Sequence, residues 1–185
     1  NAESIGAYYK KKLLGTIGDI STLSFFSNKI ITTGEGGAIV TNNKKIADYC
    51  RVMRDHGMSP KQKYKFIDLG FNYRMTNLQA AVGCSQIDDI TKILIKRNQQ
   101  LENYKKYLKP SKFFYIKKNK KWCKSVHWLT TLILSSAKER KKFILYLKYN
   151  KIDARPMITP IHQAKHFKRL FKYKSYELKN STFYS

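Results

Sequence analysis

Lys29 stands apart in a chain that otherwise groups its lysines, in KKK at 10–12, KKNKKWCK at 117–124 and KERKK at 138–142. Ser24 lies five residues before it, and the small-residue run T-T-G-E-G-G, 32–37, follows it. An amine adds to a carbonyl only when it is held against that carbonyl and partly stripped of its proton. Burial between a strand end and a glycine-rich turn serves both needs. A serine hydroxyl at the end of the same strand can hydrogen-bond a phosphate. The glycine turn offers backbone N–H groups with little side-chain bulk, so a phosphate or sugar can approach closely. The same residues also describe a surface hairpin with Lys29 in its turn, and this stretch alone leaves both readings open.

The elements that must position the lysine can be read from local pattern. TLSFF, 22–26, and the β-branched GGAIVTN, 36–42, read as short strands, and 44–53 reads as a helix with Ile46, Tyr49, Cys50 and Met53 on one face. Residues 54–75 hold Gly57, Pro60 and Gly70 with no sustained period, so they form a long connection, a class of segment often tied to function. Thr76 with Gln79 makes a capping box, and apolar residues recur at Leu78, Val82, Ile87, Ile90, Leu94, Leu101, Tyr104 and Leu108. One long helix over 76–108, with room for a kink, is therefore expected, ended by Pro110. Beyond it the composition turns to lysine and aromatics. A strand at 126–134, a helix at 137–149 and a strand at 152–158 make a small α/β module. The domain boundary falls in or just after the long helix, giving 1–108 and 109–185.

Composition sets outer limits. The chain has 185 residues and 42% hydrophobic content, enough for one sizeable core or two small ones. Its 37 basic and 12 acidic residues give 37 − 12 = +25, a charge that attracts phosphates or an anionic surface but says nothing of fold. Cys50, Cys84 and Cys123 form no tight pair, which argues against a disulfide framework and for a reducing compartment, and no Cys/His cluster points to a metal. No apolar run reaches the ~18 residues of a membrane span, and the amino end carries no signal-peptide core. The reading is cytoplasmic, with no membrane partner.

Taken together, GDISTLSFFSNKIITTGEGGAIVTNN, MRDHGM, GFNYRMTNLQAA and IDARPMITPIHQ resemble the ordered landmarks of the DegT/DnrJ/StrS sugar aminotransferases. The likeness is nearly continuous over 1–108 and carries little motif over 109–150. It implies an α/β protein of fold type I, dependent on pyridoxal 5′-phosphate, with a partial large domain of mixed sheet and helices and an incomplete small α/β domain. It implies that Lys29 is the Schiff-base lysine and acid/base catalyst, that Ser24 binds the cofactor phosphate, that Glu3 lies near the cofactor ring, and that Asn72 reaches across a homodimer interface to the partner's phosphate. Arg155 and His162 resemble positions near the nucleotide-sugar site. The implied substrates are a nucleotide-linked 4-keto-6-deoxysugar and glutamate as amino donor. Related sugar 3-dehydratases carry histidine in place of the lysine, so Lys29 argues against that chemistry.

The family aspartate that pairs with the pyridine nitrogen would fall just ahead of Asn1, so the resemblance implies a piece of a longer enzyme, inactive alone. Two other readings stay open. The charge and interleaved aromatics of KKWCKSVHW fit a basic nucleic-acid-binding module, although no binding motif accompanies them. The chain can also be a catalytically inactive remnant. His56 in RDHGM reads as a hydrogen-bonded loop residue rather than a base, and Glu35 as a residue that bonds its own turn.

Overall fold

In chain order the elements are β1 (Tyr8–Tyr9), β2 (Lys12–Leu13), β3 (Ser21–Ser24), β4 (Gly37–Val40), α1 (Lys44–Arg54), α2 (Asn77–Asp88) and α3 (Ile90–Tyr107). They continue with β5 (Phe114–Ile116), β6 (Cys123–Lys124), β7 (Leu132–Leu134), α4 (Ala137–Tyr149), a 3-10 turn (Ile161–Gln163) and α5 (Lys165–Leu170). This computed structural model describes residues 1–170, 178 and 181. The described chain divides into two compact units, Asn1–Leu108 with Lys118–Thr130, and Lys109–Lys117 with Thr131–Ser185.

In the first unit β3 and β4 pair antiparallel with Ser21 opposite Val40 and Ser24 opposite Gly37. β1 is the centre of a small antiparallel sheet in the order β2-β1-β6. Its hairpin turn is Lys10–Lys11, both with positive φ (45° and 65°), the left-handed pair that a two-residue turn needs and that lysine adopts at a cost. The core gathers Ala7, Ile30, Ile31 and Val126, with Ile5, Leu14, Phe25, Ile90, Ile93, Leu94 and Trp128 packed around them. α1 begins where the Asn43 side chain accepts the N–H groups of Lys45 and Ile46.

The expected long helix is two. The Thr76–Gln79 capping box starts α2, and the chain breaks at Asp89, whose side chain caps neither end, before α3 runs on to Tyr107. Ile90, Ile93 and Leu94 of α3 do pack on the core, and Leu94 lies so close to Gly6 that a Cβ there would meet its Cδ1 at 2.6 Å. In α2 the expectation fails. Leu78 is 83% exposed and Val82 and Ile87 are about half exposed, while the face that packs inward is Gln79, Gly83 and Gln86.

The long connection 55–75 is held by backbone. His56 N–H donates to the Phe71 carbonyl (3.0 Å), Phe71 N–H to Met53 (2.7 Å) and Tyr73 N–H to Arg54 (2.9 Å). Gly57 and Gly70 cross so closely that a Cβ on Gly57 would sit 1.8 Å from the Asp68 carbonyl oxygen, which explains both glycines.

In the second unit β5 pairs antiparallel with β7, Phe114 opposite Leu134 and Ile116 opposite Leu132. Ser136 caps α4 by accepting the Glu139 N–H (3.2 Å). The strand expected over 126–134 is confined to 132–134, because 125–130 turns away through His127 at φ 51°. The strand expected over 152–158 does not form, and its backbone pairs with no other strand among the described residues.

Candidate active site

Lys29 sits just past β3, in a turn set by Ser27 and Asn28, with its N–H donated to the Phe26 carbonyl at 3.0 Å. The two residues after it, Ile30 and Ile31, are core residues at 5% and 3% exposure, so the backbone beyond the lysine is pinned. Its side chain is 11% exposed, against 87% for Lys44 and 77% for Lys92 in their surface ion pairs. A long cationic side chain held this far from water is uncommon without a partner, and Lys29 has two. Its Nζ lies 2.5 Å from Glu3 Oε1 and 4.2 Å from the centroid of the Trp128 ring. The indole N–H of Trp128 donates to the Asn28 carbonyl at 2.7 Å.

The glycine-bearing loop after the lysine is fixed from two sides. Phe25 N–H donates to Gly36 and Thr33 N–H to Phe25, both at 2.9 Å, closing the loop onto the end of β3. From α2, Gln86 accepts the Thr32 N–H (3.0 Å) and donates to the Thr32 carbonyl (2.7 Å), as a neighbouring strand would. One turn back, Gly83 lets the helix approach Thr33, where an added Cβ would lie 3.0 Å from Cγ2. One turn further, Gln79 Nε2 donates to the Glu35 carbonyl at 3.2 Å. The 79, 83, 86 spacing puts all three on one helix face. Glu35 serves its turn through its backbone, where its carbonyl also accepts the Thr33 hydroxyl (2.7 Å).

Ser24 ends β3, and its oxygen accepts the Phe26 N–H at 3.4 Å, the one hydrogen bond its side chain makes among the described residues. The hydroxyl hydrogen is thus left for an acceptor from outside. Lys29 and Glu3 are therefore joined directly, and Ser24 lies at the start of the same turn. Asn72 is placed elsewhere, opposite Asp55 in an isolated bridge, exposed, and no hydrogen bond ties it to Lys29. His56 has φ 61° and serves the loop through its backbone. Arg155 and His162 belong to the second unit. Arg155 is an exposed residue paired with Asp153 at 3.2 Å, and His162 lies in the 3-10 turn. No group of His, Cys, Asp and Glu among the described residues could hold a metal ion.

The profile of the DegT/DnrJ/EryC1/StrS aminotransferase family matches residues 1–185. The chain belongs to this family. Among its relatives are GDP-perosamine synthase of Escherichia coli O157:H7, 37% identical over 161 residues (87% of this chain, 44% of the relative), and that of Vibrio cholerae, 36% identical over 182 residues (97% and 49%). The chain thus spans about half the length of the curated relatives it matches. Among solved structures, PseC of Helicobacter pylori, an aminotransferase involved in the biosynthesis of pseudoaminic acid, superposes with a TM-score of 0.85 at 28% identity, covering 100% of this chain and 50% of that one. The fold is the fold type I α/β architecture of sugar aminotransferases, present in part.

Aminotransferases of this DegT family depend on pyridoxal 5′-phosphate. The donor set fits that group: a nearly buried amine for the carbonyl, a serine hydroxyl with its hydrogen free for a phosphate oxygen, and a glycine loop beside them. What pattern reading missed is the support. Local pattern places Trp128 in a strand and Gln79 in a helix cap and gives Gln86 no role, because a residue that acts through one tertiary contact leaves no local period.

Proposed function

We propose that the intact protein transfers an amino group to the keto carbon of a nucleotide-linked 4-keto-6-deoxysugar, in the manner of a GDP-perosamine synthase, with glutamate as donor. It would work as a cytoplasmic homodimer in the supply of sugars for surface polysaccharide. The observation that carries this reading is the low exposure of Lys29 at the end of β3, against the open lysines elsewhere. The choice of sugar is supported by the relatives, since both of those named above are GDP-perosamine synthases.

Pyridoxal phosphate, when bound, supplies the electron sink through which an amino group passes between two carbon skeletons. Lys29 would hold the carbonyl end of the group through Nζ, and the same atom would hold and move a proton. Glu3 orients Nζ, and the Ser24 hydroxyl would donate to the phosphate. Gln79 and Gln86 keep the 32–35 loop against α2, so the floor of the site does not shift as the lysine moves. Asn72 is assigned to the partner's phosphate, and Arg155 and His162 to the sugar nucleotide.

The test is turnover by the intact protein, with glutamate and a GDP-linked 4-keto-6-deoxysugar, read as the mass of the amino sugar product. Product formation that Lys29→Ala abolishes is the expected result. An unchanged sugar, or product formed without Lys29, overturns the reading.

A further inference from the structure

A lysine that is to bond a carbonyl must be held within reach of it, and the Lys29 Nζ lies between Glu3 and Trp128. We propose that Trp128 is a positioning residue whose ring, with the Glu3 carboxylate, forms the seat of the free Lys29 amine. This rests on the assignment of Lys29 made above.

Three observations carry it. The Nζ-to-centroid distance of 4.2 Å is well inside the ~6 Å over which a ring face attracts an ammonium. The same ring is fastened, through its N–H, to the carbonyl of Asn28, the residue before the lysine it faces. One indole therefore fixes both the peptide next to Lys29 and the end of its side chain. Trp128 is itself aimed by an unusual backbone: His127 holds φ 51°, and its N–H donates to the Ser125 hydroxyl oxygen at 3.2 Å. Strained conformations of this kind persist where the surroundings over-determine them, often at functional sites. The other tryptophan, Trp122, packs edge-on against Tyr9 at 5.3 Å and belongs to the β2-β1-β6 sheet.

The chemistry suits a waiting amine. A π face attracts the cation without accepting its proton and without a directed bond that must be broken on departure. The carboxylate is the acceptor to which the amine passes the proton it must lose before it adds to a carbonyl, and the partly buried ring holds the side chain in place.

The experiment uses the intact protein, and the emission that Trp128→Phe removes is taken as that of Trp128. Pyridoxal phosphate is added, the lysine adduct is fixed with borohydride at timed intervals, and its formation on the Lys29 peptide is followed by mass. Trp128→Phe keeps the ring face and loses the N–H, whereas Trp128→Leu loses both. The expected result is capture slowed about tenfold in the Leu variant and substantially restored in the Phe variant. Trp128 emission is expected to fall as Lys29 is labelled and to stay unchanged when the same addition is made to Lys29→Ala. A Leu variant that captures at the parent rate, or emission that does not respond to labelling of Lys29, overturns the role of Trp128 and leaves that of Lys29 standing. Labelling of other lysines in place of Lys29 overturns both. Trp128→Phe keeps an aromatic ring in place, so the emission difference decides the matter even where the Leu variant fails to fold.

Discussion

The carboxylate of Glu3 meets the amine of Lys29 at 2.5 Å across 26 positions of sequence, joining the first residues of the chain to the turn after β3. Glu3 is half exposed, so solvent screens the pair and its strength is at most about 1 kcal/mol. Glu3→Gln, which keeps an acceptor, is expected to slow capture of pyridoxal phosphate by Lys29 no more than about fivefold, and Glu3→Leu by more. A rate series at rising salt checks the cause, since screening should bring the wild type toward the Gln variant.

Gln86 imitates a strand neighbour for Thr32 with two hydrogen bonds. Gln86→Leu leaves a part-buried N–H and carbonyl without partners, at a cost of about 1–3 kcal/mol each way the loop cannot rewet. The expected outcome is a lower urea midpoint with an unchanged slope. Gln86→Glu, which keeps an acceptor for the N–H but sets a carboxylate against the carbonyl, is expected to do no better.

The Lys10–Lys11 turn points the other way. Both residues hold positive φ, where Asn-Gly is the preferred pair. Replacing them by Asn and Gly removes left-handed strain of roughly 1–2 kcal/mol per residue, and is expected to raise the midpoint of thermal unfolding. A lowered midpoint would show that the two lysines contribute contacts that outweigh their backbone strain.

His127 gives the fold a pH dependence. Burial first, and then the positive charge of Lys105, hold its imidazole below the ordinary value of 6.5, with Glu102 opposing weakly. Because the unfolded chain binds the proton more readily, this group's contribution is complete above pH ~6.5 and is lost as pH falls through the depressed folded value. Denaturation midpoints of the wild type should therefore decline below pH ~6.5 more steeply than those of His127→Asn, whose side chain tolerates positive φ and does not titrate.

Much of this site is written locally. The strand that ends before Lys29, the glycine turn after it and the Thr76–Gln79 capping box each announce themselves within a few residues. The pattern misled in α2, where Leu78 and Val82 look like a core stripe but face outward, while Gln79, Gly83 and Gln86 grip the loop. Periodicity detects a buried face only when that face is apolar, and this one is polar because it pairs with loop backbone. The split at Asp89 falls within a helix expected to have room for a kink, and Ile87 and Ile90, close on either side of it, give no local sign of a full break. Trp128 could not be assigned from its neighbours, since its partners Asn28 and Lys29 lie about a hundred residues away. For 152–158, alternating apolar residues resembled a strand but found no strand to pair with among the described residues.

The central claim, that Lys29 is the amine that binds pyridoxal phosphate, is tested most directly by borohydride reduction of the cofactor-loaded intact protein, followed by peptide mass mapping. The account predicts one pyridoxyl group per chain, on the peptide that carries Lys29 and absent from Lys29→Ala. A pyridoxyl group on any other lysine, or the same labelling in the Lys29→Ala protein, would contradict it.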